Sequence, residues 1–269
     1  MQNFDLDLKL AELKINGFAV FEDLVPVEKI DRIREAFMPL LETVREREST
    51  VRSDEVGDIR TGRGRLQNPH RYTLVWPFEP PFDDPEIYEN PVILEFLERY
   101  WGSADFQITC LHSNNPYPRS EYQKWHRDML LMSPGVGIPD VPHFGVKFPL
   151  VDTCEENGSI EFLPSTQYLA DPEFESQYNE LLERGSFSSK SRLNIKRGTF
   201  YVADPRTLHR GTPNISKAPR PEFCICYSRS WFTIGAKRDR GAEMTRGRFD
   251  ELSDRGRNLF SRAYITESI

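Results

Sequence analysis

His126-Arg127-Asp128, answered far downstream by His209, is the part of this chain best suited to chemistry. Two imidazoles and one carboxylate can fill one face of a metal's coordination sphere and leave the other face open, the arrangement used by non-haem Fe(II) oxygenases. In extended chain, residues two apart share a face. His126 and Asp128 are therefore expected to reach one metal while Arg127 points away, and the third ligand has to come from a distant strand, as a barrel interior provides. Of the 5 His, the other three (His70, His112 and His143) have no carboxylate two positions away. Arg220, a short strand beyond His209, offers a planar fork that grips a carboxylate bidentately. It suits a carboxylate-bearing co-substrate such as 2-oxoglutarate, and the competing reading pairs it with a surface acid.

The elements that must hold these residues fall into three stretches of one expected domain, 1–269. In the helical N-terminal part, 1–105, Leu6 to Ile15 reads as a helix stopped by Asn16-Gly17. A strand follows at Gly17–Glu22. Pro26 opens a longer helix with Ile30, Ile33, Phe37, Leu40, Leu41 and Val44 at helical spacing, which Pro39 is expected to kink or split. Arg45 to about Arg65 is polar and reads as a loop, and Pro91 to Tyr100 as a helix ended near Gly102. From 106 to 232 short β-like runs alternate with Pro and Gly turns: 106–111, 122–132, 145–151, 159–163, 198–202 and 222–231. That rhythm indicates a sandwich or barrel rather than alternating strands and helices. An insert near 168–192 is helical in parts. The C-terminal segment, 233–269, carries an amphipathic stretch from Arg248 to Ala263.

Composition narrows the partners. At 269 residues, 38% hydrophobic and 29% charged, the chain can bury a full core and is globular in type. A net charge of −7 argues against nucleic acid or an acidic membrane surface, both of which need a basic footprint. Arg60, Arg63 and Arg65, and again Lys237, Arg238 and Arg240, read as solvated loops. Cys224 and Cys226 alternate with apolar residues and read as small buried strand residues, since no second Cys/His pair has zinc spacing. The other cysteines are Cys110 and Cys154. A reducing, cytoplasmic setting is expected: the start Met1-Gln2-Asn3-Phe4-Asp5 lacks a signal-peptide pattern, and no run of 18 apolar residues occurs.

With these residues in view, the chain resembles the phytanoyl-CoA dioxygenase family of Fe(II)/2-oxoglutarate oxygenases. The likeness runs from Gly17-Phe-Ala-Val-Phe to Tyr227. Its most specific part is Leu208-His209-Arg210-Gly211-Thr212-Pro213-Asn214 followed by Pro219-Arg220. The segment Glu156-Asn157-Gly158 through Pro164-Ser165-Thr166-Gln167 is similar to a family pattern, but Ser165-Thr166 stand where Gly-Ser is usual and Gln167 where His is usual.

The resemblance implies a mainly β fold, a double-stranded β-helix or cupin-like jelly-roll barrel with N-terminal helices. It implies that His126, Asp128 and His209 hold iron and that Arg220 grips the distal carboxylate of 2-oxoglutarate. Thr212 would add a hydrogen bond there, or serve only its turn. Gln123 would reach the iron-proximal carboxylate, although strand parity sets it opposite His126 unless a bulge intervenes. Gln67 and Asn68 would line the substrate or co-substrate pocket, or form a turn before Pro69. Phe148 is either an aromatic wall beside the iron or core; Trp125 reads as packing. The implied reaction consumes O2, releases succinate and CO2, and hydroxylates or otherwise oxidises a C–H bond of a small-molecule metabolite. Halogenating relatives lack the carboxylate ligand, so Asp128 argues against halogenation. Alternatives are a cupin-like metal enzyme without 2-oxoglutarate and a catalytically silent binding relative. A CoA thioester would need basic contacts such as Arg60, Arg63, Arg65 and Arg71.

Overall fold

A computed structural model describes residues 3–46, 57–58, 65–68, 70–129, 141–169, 172–185, 190–233 and 242–267. The N-terminal part contains α1 (Leu6–Asn16), β1 (Phe18–Phe21), α2 (Val27–Glu46), β2 (Gly57–Asp58), β3 (Arg65–Asn68), β4 (Arg71–Val75), α3 (Pro85–Tyr88) and α4 (Pro91–Trp101). The middle contains β5 (Phe106–Pro116), β6 (His143–Pro149), β7 (Glu161–Phe162), α5 (Pro172–Arg184), β8 (Ser191–Arg192), β9 (Phe200–Ala203), β10 (His209–Arg210) and β11 (Glu222–Arg229). β12 (Glu243–Thr245), α6 (Arg246–Glu251), α7 (Asp254–Leu259) and β13 (Tyr264–Thr266) close the chain.

The strands make a mainly antiparallel protein with flanking helices. The large sheet runs β1-β9-β6-β11-β5-β4-β2, with β3 beside β4, and a smaller sheet runs β10-β7-β8. Alternation along the central strands explains what each face carries. On β11, Phe223, Ile225 and Tyr227 join the main hydrophobic core together with Phe144, Val146 and Phe148 of β6. The apolar stripe of α2 (Ile30, Ile33, Phe37, Leu41 and Val44) packs into that core, with Phe37 meeting Phe223 edge-on at 4.7 Å. The alternate residues, among them Glu222, Cys224 and Cys226 of β11 and Lys147 of β6, take the other face. The small sheet reaches across to it: Phe162 of β7 lies 4.8 Å from Phe18 and 6.3 Å from Tyr201. Residues of both sheets border the cleft described below.

Several expectations need correcting. α2 runs unbroken through Pro39, because the buried stripe on both sides of it outweighs the one lost backbone bond. β5 reaches Pro116, well past 111, and the described part of the 122–132 run, residues 122–129, is not a strand; it touches the small sheet at one bridge, His126 with His209. The Arg248–Ala263 segment is two short helices, α6 and α7, split at Leu252-Ser253. Gly17 is the left-handed cap of α1 (φ 81°), and a Cβ there would stand 2.1 Å from Thr207 Oγ1. Ser165, where relatives resembling this chain carry Gly, also takes a left-handed φ of 67°. That conformation explains the usual glycine and gives Ser165 a strained backbone.

Candidate functional site

His209 lies on β10, and its backbone exchanges two hydrogen bonds of 3.0 Å with His126. That bridge brings the rings to 4.5 Å between centroids. His126 Nδ1 is 2.9 Å from Lys124 O, and His209 Nδ1 is 2.9 Å from Thr207 O. A carbonyl only accepts, so each Nδ1 carries the proton and each Nε2 keeps its lone pair for a metal. Asp128 completes the group: its oxygens lie 3.9 Å from His126 Nε2 and 3.5 Å from His209 Nε2. Ligand atoms of the three residues all fall within 4.8 Å of one another. The donor set fits a divalent first-row metal, since two neutral imidazoles and one carboxylate ask for a cation and cover only one side of it.

The surroundings tune the charges. Partial removal from water opposes ionisation of the half-open Asp128, but His209, Lys147 and His126 around it outweigh that and hold its carboxyl well below the usual range. Lys147 Nζ stands 3.6 Å away on the cleft face of β6. Burial pushes His209 down to about 3, against the opposing pull of Asp128, so its imidazole is neutral near pH 7 and ready to ligate. With His209 neutral, Lys147 is the cation that keeps Asp128 ionised. Arg127 turns the other way, as expected, donating to the carbonyls of Thr166, Leu169 and Arg206.

Beyond the triad the cleft ends in two buried guanidinium groups. Arg220 and Arg71 are each 2% exposed, and both border the cleft. Arg220 Nη1 donates to Glu222 Oε2 at 3.0 Å, and Tyr201 donates to the other Glu222 oxygen at 3.0 Å. The acid that Arg220 meets is thus buried in the cleft wall rather than on the surface. Arg71 Nη2 donates to Thr212 O at 2.8 Å. Burial, and then Arg220 beside it, lower Arg71 to about 9, still charged near pH 7. The Nε atoms of both arginines are buried without a hydrogen-bond partner. Two cations against one carboxylate leave a net positive pocket that suits a single anionic group. Gly211 makes room for the Gln123 amide and the Arg71 guanidinium, because a Cβ there would stand 2.5 Å from Gln123 Oε1 and 2.6 Å from Arg71 Nη1.

The remaining expected residues are dispersed. Gln123 does border the cleft, against strand parity, because residues 122–128 do not follow a regular strand. Its Oε1 accepts from Gly211 N at 2.8 Å. Thr212 is fully buried; its hydroxyl donates to Ser159 O and accepts from Arg192, both at 2.8 Å, so it braces the turn instead of the pocket. Phe148 is core, stacked on Phe200 at 4.5 Å and 8°. Gln67 and Asn68 belong to β3 rather than a turn, and their side chains lie outside the described residues, as do Arg60, Arg63, Lys237, Arg238 and Arg240. Trp125 packs with Leu163, Leu182 and Leu208 and carries Arg210 over its ring at 4.5 Å. Trp231 is exposed. Sequence reasoning named Arg71 only as a contact for CoA phosphates and missed Lys147. Both were legible as charged residues at alternate positions of otherwise apolar strands, Arg71-Tyr-Thr-Leu-Val and Val146-Lys-Phe, where a charge on the inner face needs a partner.

A mainly antiparallel β fold that carries two imidazoles and a carboxylate beside a cationic recess defines a mononuclear metal enzyme with an anionic co-substrate. The chain belongs to the phytanoyl-CoA dioxygenase (PhyH) family, which it matches over residues 13–221. It is a non-haem iron oxygenase that uses Fe(II), 2-oxoglutarate and O2. Among solved structures the fold is similar to that of AviO1 from Streptomyces viridochromogenes Tue57, with TM-score 0.61, 17% identity, and 85% of this chain and 96% of that one covered. It is also similar to HygX from Streptomyces hygroscopicus, solved with nickel, 2-oxoglutarate and hygromycin B, with TM-score 0.58, 15% identity and coverage of 84% and 88%. The epimerase SnoN from nogalamycin biosynthesis, described as α-ketoglutarate dependent, gives TM-score 0.55 and 15% identity, with 83% and 80% covered. No described helix is long and apolar enough to cross a membrane.

Proposed function

We propose that the whole chain, 1–269, acts as one double-stranded β-helix oxygenase domain that oxidises a C–H bond of a small-molecule metabolite. His126, Asp128 and His209 hold Fe(II); Arg220 and Arg71 together hold the distal carboxylate of 2-oxoglutarate. When bound, iron and 2-oxoglutarate supply the oxidising power from O2, with succinate and CO2 released. The protein supplies the rest. Lys147 keeps Asp128 anionic, the two Nδ1–carbonyl contacts fix both imidazoles, and Gln123 holds the Gly211 backbone against Arg71.

The observation that carries the reading is the pairing of a three-donor triad with two buried, incompletely partnered arginines on one cleft. A small polar metabolite is favoured by the company the fold keeps, since HygX was solved with hygromycin B. Hydroxylation is the default outcome; epimerisation, the activity of SnoN, would in addition need a one-electron reductant and a hydrogen-atom donor to restore the C–H bond. Arg71 is buried beside Arg220, so it is not a contact for the phosphates of a CoA thioester.

Anaerobic titration tests this directly. Fe(II) followed by 2-oxoglutarate should give a metal-to-ligand charge-transfer band saturating at one equivalent. Oxygen uptake with succinate release then allows a panel of small polar metabolites to be screened. A band that persists unchanged in His209→Ala would sink the assignment.

A further inference from the structure

Beside the triad, the cleft face of the large sheet carries a second group of metal-binding side chains. The antiparallel register sets Cys226 of β11 opposite Cys110 of β5, and Cys224 opposite His112. The pair Cys110-Leu111-His112 is thus the partner that Cys224-Ile225-Cys226 lacked in sequence; it arrives from the neighbouring strand. Cys110 Sγ lies 3.7 Å and Cys226 Sγ 3.8 Å from His112 Nδ1, and the Cys224 and Cys226 sulfurs are 3.9 Å apart. Ligand atoms of Cys110, His112 and Cys226 all fall within 4.8 Å of one another. Tetrahedral zinc, about 2.3 Å from sulfur and about 2.0 Å from nitrogen, spaces its ligands by about 3.6–3.8 Å. All four cysteines of the chain are free thiols.

We infer that Cys110, His112 and Cys226 form a second metal site for a thiophilic divalent ion such as Zn(II), separate from His126, Asp128 and His209. Soft sulfur with one imidazole selects zinc over the hard cations, and Cys224, its sulfur 3.9 Å from that of Cys226, stands beside the three donors. Charge balances as well. Two thiolates offset the divalent ion, and the imidazole ligates as a neutral donor. Such an ion would tie β5 to β11 and hold His112, whose ring borders the catalytic cleft, in place. The inference stands on these side chains and does not depend on how the iron site is assigned.

The test uses the full chain carrying His126→Ala and His209→Ala, which removes the triad. Loaded with Zn(II) and passed over a desalting column, it should retain one equivalent. With Co(II) in its place it should show thiolate-to-cobalt charge-transfer bands and tetrahedral ligand-field bands. Cys226→Ser and Cys110→Ser should each abolish those bands and weaken zinc binding on the order of a hundredfold or more, since each removes a ligand itself rather than a hydrogen-bond partner of one. Alkylation of the parent protein tests the same point without a substitution. Zinc should protect Cys110 and chelation should release it, while exposed Cys154 reacts in both states. Zinc lost together with the triad, cobalt bands without thiolate character, or Cys110 reacting equally with and without zinc would each overturn the inference.

Discussion

His126 and Asp128 sit on irregular backbone that one bridge joins to His209 on the short strand β10, whereas Cys110, His112, Cys224 and Cys226 sit in register on two central strands. His112 of the second group borders the same cleft as the triad, but the two groups suit opposite tasks. The triad offers three donors from one side, half of the Asp128 side chain (48%) is open, and room remains for exchangeable ligands. The thiol group gathers Cys110, His112 and Cys226 within 4.8 Å of one another across two paired strands. An enzyme that must admit a co-substrate and O2 gains from the first construction, and a cross-link between strands from the second.

The largest expected effect falls on the triad. His126→Ala, His209→Ala and Asp128→Ala should each reduce 2-oxoglutarate turnover to background while the far-UV circular dichroism stays that of the parent. Substantial iron and activity in any of them would erase the distinction between the two groups. Next come the arginines. Arg220→Ala removes one partner of a buried charged network, which typically costs about 3–5 kcal/mol, a factor of about a hundred to several thousand in apparent affinity for 2-oxoglutarate. Fe(II) binding, read from metal content, should change little. Arg220→Lys should rescue only in part, because an ammonium cannot make a two-pronged contact. Arg71→Ala should also weaken 2-oxoglutarate binding, and an unchanged titration would take Arg71 out of the pocket.

A smaller effect concerns the opposite face of the same sheet. Phe148→Ala should destabilise the fold by about 3–5 kcal/mol in denaturant titration, as large cavities in cores do, with no selective change in the constant for 2-oxoglutarate. A selective rise in that constant would return Phe148 to the pocket wall. The smallest effect is a pH slope. His209 is held down to about 3 in the fold, while an unfolded imidazole titrates at 6.5. Between those values the unfolded chain binds more protons, so stability rises with pH there. The metal-free protein should therefore lose stability as pH falls from 6.5 towards 3. His209→Asn should flatten that slope, and an unaltered slope would place its origin elsewhere.

Much of the catalytic end was legible in the chain. The spacing of His126 and Asp128, the isolation of His209 and the position of Arg220 name side chains whose chemistry does not depend on how they meet. The helices Leu6–Asn16 and Pro91–Trp101 were equally legible, because Gly17 and Gly102 end them by local backbone preference. Pairings between strands were not local. That Arg71 lies beside Arg220, that Lys147 faces Asp128, and that Cys110-Leu111-His112 answers Cys224-Ile225-Cys226 each depend on register between segments far apart in sequence. The contrast within residues 122–128 has the same cause. Strand parity correctly separated Arg127 from its neighbours, yet it misplaced Gln123, because one backbone bridge rather than a ladder sets that segment. Residue types and their local spacing thus determined which chemistry this protein can perform. Only the tertiary structure decided which charges and donors share the cleft, since register is fixed by burial of the sheet's apolar face and not by any one segment alone.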